Sequence, residues 1–234
     1  MFVRVGNIAL PSFLLTVILA LSFVFSSAHA AVAQTGSQTW SCEPATPIAS
    51  EANATPGSGT PASADPAMMS MDLMFIDMMI PHHESIIALA TVAEPRLQDP
   101  RLIEIAKAIR TTQSAEITLL REIRQTEFGS PDPAPFDLAM AESMGHMMTG
   151  SLSPQDMLAL MSPAGLVASF CNASSPDLAF IDLTIAHHTM AVQASEMVLQ
   201  HGATPEIEAI ARDVITAQQA EIDLLTEIRT DISA

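Results

Sequence analysis

Residues 72–124 align without a gap on residues 177–229, at a constant offset of 105 and with 21 of 53 positions identical. A chain that writes one unit twice has to fold that unit twice, so the problem reduces to the architecture of one copy and the way two copies pack. Each copy reads as two helices. The first runs from near Pro66 to about Ala93. The second opens at Asp99-Pro100, a cap residue followed by proline at the first helical position, and runs to Glu127 ahead of Gly129. The second copy repeats the grammar with Ser175-Pro176, a stop at Gly202, then Thr204-Pro205 and a helix to the C-terminus. Residues 137–148 and 154–161, the latter capped by Ser153-Pro154, form short helices between the copies, and no stretch alternates like a strand. Connections of about six residues favour antiparallel neighbours. The expectation is an all-α four-helix bundle over 67–234, a duplicated hairpin with an irregular crossover. Pro81 removes a hydrogen bond and crowds the carbonyl of Asp77, which predicts a kink that Ala186 does not impose on the second copy.

The segments ahead of the repeat have a different character. Residues 1–30 have the pattern of an export signal: Arg4, an almost wholly apolar stretch over 8–25, and Ala28-His29-Ala30 for cleavage near Ala31. An uncleaved N-terminal anchor is the alternative, and no other apolar run approaches 18 residues. Both readings place the protein outside the cytoplasm, in the periplasm, at the cell surface or in the medium. Residues 31–66 are an Ala/Thr/Pro/Ser spacer with no apolar period, expected to be disordered. Cys42 and Cys171 either form one disulfide pinning the spacer to the domain or stay as two free thiols, one of them available to metal. Nine basic residues stand against 26 acidic ones, a net charge of −17, which excludes a nucleic-acid partner.

The core pattern contains residues that do not belong in a core. The apolar seam of the first helix passes through Leu73, Ile76, Ile80, His83, Ile87 and Ala90; that of the third through Leu178, Ile181, Ile185, His188 and Val192. The second reads Ile105, Ile109, Thr112, Glu116, Leu119, Ile123, and the fourth Ile210, Val214, Ala217, Glu221, Leu224, Ile228. Two histidines and two glutamates therefore face inward, with His82 and His187 adjacent to the same groove. A buried carboxylate must protonate, pair or bind metal. Folding the first hairpin about its loop sets His83 level with residue 111, so Gln113 is nearer to it than Glu116, and contact between His83 and Glu116 does not follow from the register.

Fifteen methionines supply soft sulfur. Met78 and Met79 stand four residues before His82 and His83, on shared helix faces; the second copy has Leu183 and Thr184 there, with Met190 three residues after His187. Further methionines recur at helical spacing: Met68, Met71 and Met74; Met140, Met144, Met147 and Met148 beside His146; Met157 and Met161. Spacings of three and four suit a core stripe as well as chelation. As a population they point to Cu(I), which favours thioethers, over Zn(II). Asp77 and Asp182 are candidates to hold a histidine ring from behind, and Asp72 and Asp177 are helix-start residues.

The strings Phe75-Ile76-Asp77-Met78-Met79-Ile80-Pro81-His82-His83 and Phe180-Ile181-Asp182-Leu183-Thr184-Ile185-Ala186-His187-His188, each followed by Gln-x-x-Glu-Ile (Gln113–Ile117 and Gln218–Ile222), resemble the domain-of-unknown-function family numbered 305 over residues 68–230. The resemblance implies an exported, ferritin-like helical bundle, with some similar members being periplasmic copper-binding proteins rich in Met and His. Carried over residue by residue, it reaches Met78, Met79, His82, His83, His187 and His188. Three functions compete. One is a non-enzymatic copper protein, binding Cu(I) or Ag(I), or Cu(II), for copper buffering or resistance or to hand it to a copper-handling partner. The second is a di-iron or di-manganese oxidoreductase, although Glu-x-x-His occurs nowhere in the chain. The third is a helical scaffold whose polar core sets register and binds no metal.

Overall fold

The computed structural model describes residues 40–42, 71–147, 152–201 and 203–233. The expected export signal, most of the spacer, the expected start of the first helix near Pro66, and Met68 and Met148 lie outside the described residues. The described residues form seven α-helices in order: α1 Met71–Ala93, α2 Pro100–Phe128, α3 Leu138–Met147, α4 Pro154–Leu160, α5 Pro163–Cys171, α6 Pro176–His201 and α7 Pro205–Ser233. The described residues contain no strand, so the fold is all-α. Cap chemistry sets the boundaries. Asp99 accepts from the Arg101 N–H to open α2, Gly129 closes it in the left-handed conformation at φ 80°, and Ser153 and Asp156 form a capping box at α4.

Helices α1 and α2 pair as one hairpin and α6 and α7 as the other; α1 and α6 pack on each other at the centre, with α5 also against α1. Helix α1 runs unbroken through Pro81. Enclosed by three neighbours, it is buried on nearly every face from Met74 to Ala93, with Phe75, Ile76, Met78, Met79 and Ile80 fully covered. The segment Met71–Arg96, α1 with the 3-10 turn that follows it, is by length and average hydropathy apolar enough to cross a membrane, although it holds no uninterrupted apolar run; 78 % of the most apolar window is covered by the rest of the protein.

The hairpins are joined reciprocally. The Asp177 carboxylate at the start of α6 accepts from the Gln98 and Asp99 N–H groups in the α1–α2 connection (2.8 and 3.1 Å), and Asp72 at the start of α1 accepts from the Thr204 N–H in the α6–α7 connection (3.2 Å). Both are the expected helix-start residues, but each serves the opposite hairpin.

The structure differs from the sequence expectation in two places. Between the copies there is a third short helix, α5, whose Ser162-Pro163 repeats the Ser-Pro opening used at α4 and α6, with the Ser162 hydroxyl accepting from the Gly165 N–H. The seams of α2 and α7 also drift. Thr112 and Leu119 are exposed while Gln113 and Leu120 are buried, and in α7 Gln218 and Leu225 are buried where Ala217 and Leu224 are only partly covered. Strict three-four steps follow a 3.5-residue repeat, whereas a straight helix turns every 3.6, so the inward stripe slides by one position over these long helices. The cysteine alternatives resolve into the Cys42–Cys171 disulfide, which ties the Trp40–Cys42 segment to the end of α5 and leaves no free thiol.

Candidate metal centre

The central α1–α6 contact brings the two His-His pairs together, and all four imidazoles are completely buried. The His82 and His187 rings meet across the interface with centroids 3.5 Å apart and planes tilted by 34°, while within each pair the centroids are 6.0 and 6.1 Å apart. The outer rings, His83 and His188, reach the flanking helices. His83 Nε2 lies 2.6 Å from Glu116 Oε2 on α2, and His188 Nε2 lies 2.6 Å from Glu221 Oε2 on α7. The loop-centred register placed Glu116 too far away because it counted backbone only. Helical side chains lean toward their own N-terminus, so in antiparallel helices His83 leans away from the connection and Glu116 toward it, and the two close the gap.

The hydrogen bonds fix the tautomers. His82 Nε2 is 3.0 Å from the His187 carbonyl, which can only accept, so Nε2 carries the proton. The Ser85 hydroxyl is directed at two carbonyls, His82 O at 2.8 Å and Leu160 O at 2.9 Å, so its lone pair faces His187 Nε2 at 2.8 Å and that nitrogen donates as well. His83 and His188 donate from Nε2 to their carboxylates. Every ring is thus anchored through Nε2–H, and every Nδ1 is buried without a hydrogen-bond partner. Burial, and then the neighbouring imidazoles, push His82 and His187 well below the ordinary imidazole range. Both rings are neutral, and their Nδ1 lone pairs are available for coordination.

The remaining site candidates divide clearly. Met78, Met79 and Met190 are fully buried in the same core as the rings. Asp77 and Asp182 do not hold histidines. Asp77 pairs with Arg124 inside the protein (2.5 Å, with Arg124 also donating to Ser130 O), and Asp182 pairs with Arg229 at the surface (2.7 Å). Arginine wins because both copies place it 47 residues on, one hairpin length away, and its fork matches a carboxylate. Met144, Met157 and Met161 pack in the hydrophobic core. Sequence reasoning missed Ser85 and Thr184, both buried in α1 and α6. The duplication carries the signal for them, since Ser85 occupies the position of Met190, and Thr184 that of Met79.

Among the described residues no three His, Cys, Asp or Glu side chains gather as a metal cage. Any one point therefore offers at most two of these donors, and with both cysteines in the disulfide the soft sulfur of the described core is thioether. Bare, second-nitrogen-anchored imidazoles with buried methionines suit a soft monovalent ion better than a hard one.

Comparison with known proteins agrees at the level of fold. No curated protein sequence matches the chain. The solved structure of CopM in the Cu(I)-bound form is 24% identical with a TM-score of 0.54, covering 71% of this chain and all of CopM; that of CopM in the Cu(II)-bound form is 29% identical with a TM-score of 0.53, covering 68% and 96%. A DUF305 fragment from Deinococcus radiodurans is 24% identical with a TM-score of 0.52, covering 68% and 95%. The pattern described as "Domain of unknown function (DUF305)" matches residues 72–229, from the first residue of one repeat to the last of the other, and the chain belongs to that family.

Proposed function

We propose that this is an exported, non-enzymatic metal-binding protein that takes up Cu(I) or Ag(I), and Cu(II) more weakly, through the buried His82/His83 and His187/His188 pairs with methionine sulfur, and so buffers copper or passes it to a copper-handling partner. The observation that carries the reading is the common state of the four rings: each is locked by an Nε2–H bond and each keeps a bare, buried Nδ1. Metal-binding histidines are held in this way by carboxylates and carbonyls that fix the tautomer and raise ligand basicity. The CopM structures with copper and silver support the choice of metal. A di-iron or di-manganese centre is less favoured, because Glu116 and Glu221 sit in different hairpins and each is engaged by a histidine.

The test is metal retention. The purified protein is offered limiting Cu(I), Zn(II) and Fe(II) separately and dialysed against a weak chelator. Copper is expected to stay, and to be lost from H83A/H188A while helical content holds. Retained iron would promote the oxidoreductase, and no retained metal would leave the scaffold. Export is checked by the mass of the protein recovered outside the cytoplasm, expected to begin near Ala31.

A further inference from the structure

The two histidine pairs are equivalent by duplication, but their surroundings differ in a concerted way. Offset by 105, Met79 corresponds to Thr184, Met190 to Ser85, and Met78 to Leu183. All six side chains except Leu183 are fully buried. Around the second pair the oxygens are visible directly: Ser85 Oγ meets His187 at 2.8 Å, and Thr184 Oγ1, one helical turn before His187 and His188, is buried with no hydrogen-bond partner. By the repeat, Met190 holds on α6 the position from which Ser85 on α1 reaches His187, which assigns it to His82 across the interface although it also stands one turn after His187 on its own helix. At the two positions one turn before the histidines, the first pair has sulfur, Met78 and Met79, and the second has Leu183 and Thr184.

Resting on the metal-binding reading above, we infer that the protein has two half-sites of unequal softness, and that Cu(I) fills the His82/His83 half first with thioether ligation and the His187/His188 half second, more weakly, with nitrogen and oxygen only. Soft thioethers select Cu(I), whereas hydroxyls add almost nothing for it. A packing explanation for the methionines does not predict the pairing, since hydroxyls are poor replacements for thioethers in a dry core. Unequal halves give the protein a retained ion and an exchangeable one, and the exchangeable ion is the one a downstream acceptor can take.

The test is an anaerobic Cu(I) titration of the whole purified protein against a chromophoric Cu(I) chelator, with X-ray absorption at one and two equivalents. Two steps separated by about 10- to 100-fold in affinity are expected, with sulfur scattering in the first and none added in the second. H187A/H188A should abolish the second step and leave the first. M78L/M79T should lower the first to the level of the second. L183M/T184M, which adds sulfur and keeps every imidazole, should raise the second and bring sulfur into it, a gain that misfolding cannot imitate. Two steps of equal affinity with the same ligand shell, or no change in L183M/T184M, would overturn the inference while leaving copper binding intact. No Cu(I) retained by the wild-type protein would overturn the metal-binding reading itself.

Discussion

Ser85 is the residue on which the symmetry of the histidine cluster turns. Its hydroxyl joins α1, the end of α4 and the His187 ring, so S85A leaves the buried His187 Nε2–H without its acceptor and removes the one O–H shared between the His82 and Leu160 carbonyls, and should destabilise the protein by about 1–3 kcal/mol, measured by urea unfolding. Replacing Glu116 or Glu221 by glutamine keeps the shape but removes the charge behind the ring, and Cu(I) affinity should fall by about 10- to 100-fold in the chelator titration with little change in folding. His82 and His187 also set a pH dependence. Their pKa values lie well below the ordinary imidazole value of about 6.5 in the folded state, so beneath that pH the unfolded chain binds more protons. The metal-free protein should hold full stability above about pH 6.5 and lose it as the pH falls from there toward the folded-state values. A urea midpoint that does not drop between about pH 8 and pH 5.5 would refute the neutral, buried state of the two rings. At this scale the sequence was readable for His83, His188, Glu116 and Glu221, which stand in an apolar rhythm. Ser85 and Thr184 were not, because a small polar residue in a helix carries no period of its own.

The helices preserve the same distinction between what repeats and what does not. Asp77–Arg124 and Asp182–Arg229 are the same pair written twice, yet Asp77 is 1% exposed and the Asp182 side chain 53%. D77A strands a buried guanidinium and should cost about 3–5 kcal/mol, whereas D182A should leave the unfolding midpoint nearly unchanged. Near-equal effects would show that the burial difference has no energetic weight. Beyond α2, which closes at Gly129, the Ser130 carbonyl accepts from Arg124, a second contact for which Arg229 shows no counterpart among the described residues. Helix ends were legible because Pro, Gly, Ser and Asp act locally. The partners of Asp77 and Asp182 were not, because the choice between a histidine on the same helix and an arginine 47 residues away is made by tertiary packing.

In the molecule as a whole, the hairpins could be read from one copy, but their mutual placement could not. It depends on Asp72 and Asp177 reaching across to the opposite connection, which no single-copy pattern contains. The Cys42–Cys171 bond closes a separation of 129 residues, so the C42S/C171S protein should unfold at a lower urea midpoint, by about 2–4 kcal/mol, with copper binding unchanged. The reciprocal contact of α1 with α6 has a further consequence. Each hairpin offers the other the same surface that it receives, which is the geometry of an isologous two-fold dimer carried within one polypeptide. In a true homodimer every substitution appears on both sides of the axis, so a serine and a methionine could never face each other from equivalent positions. Joining the two subunits end to end removes that constraint, and a fused dimer can evolve a central interface whose halves do different work.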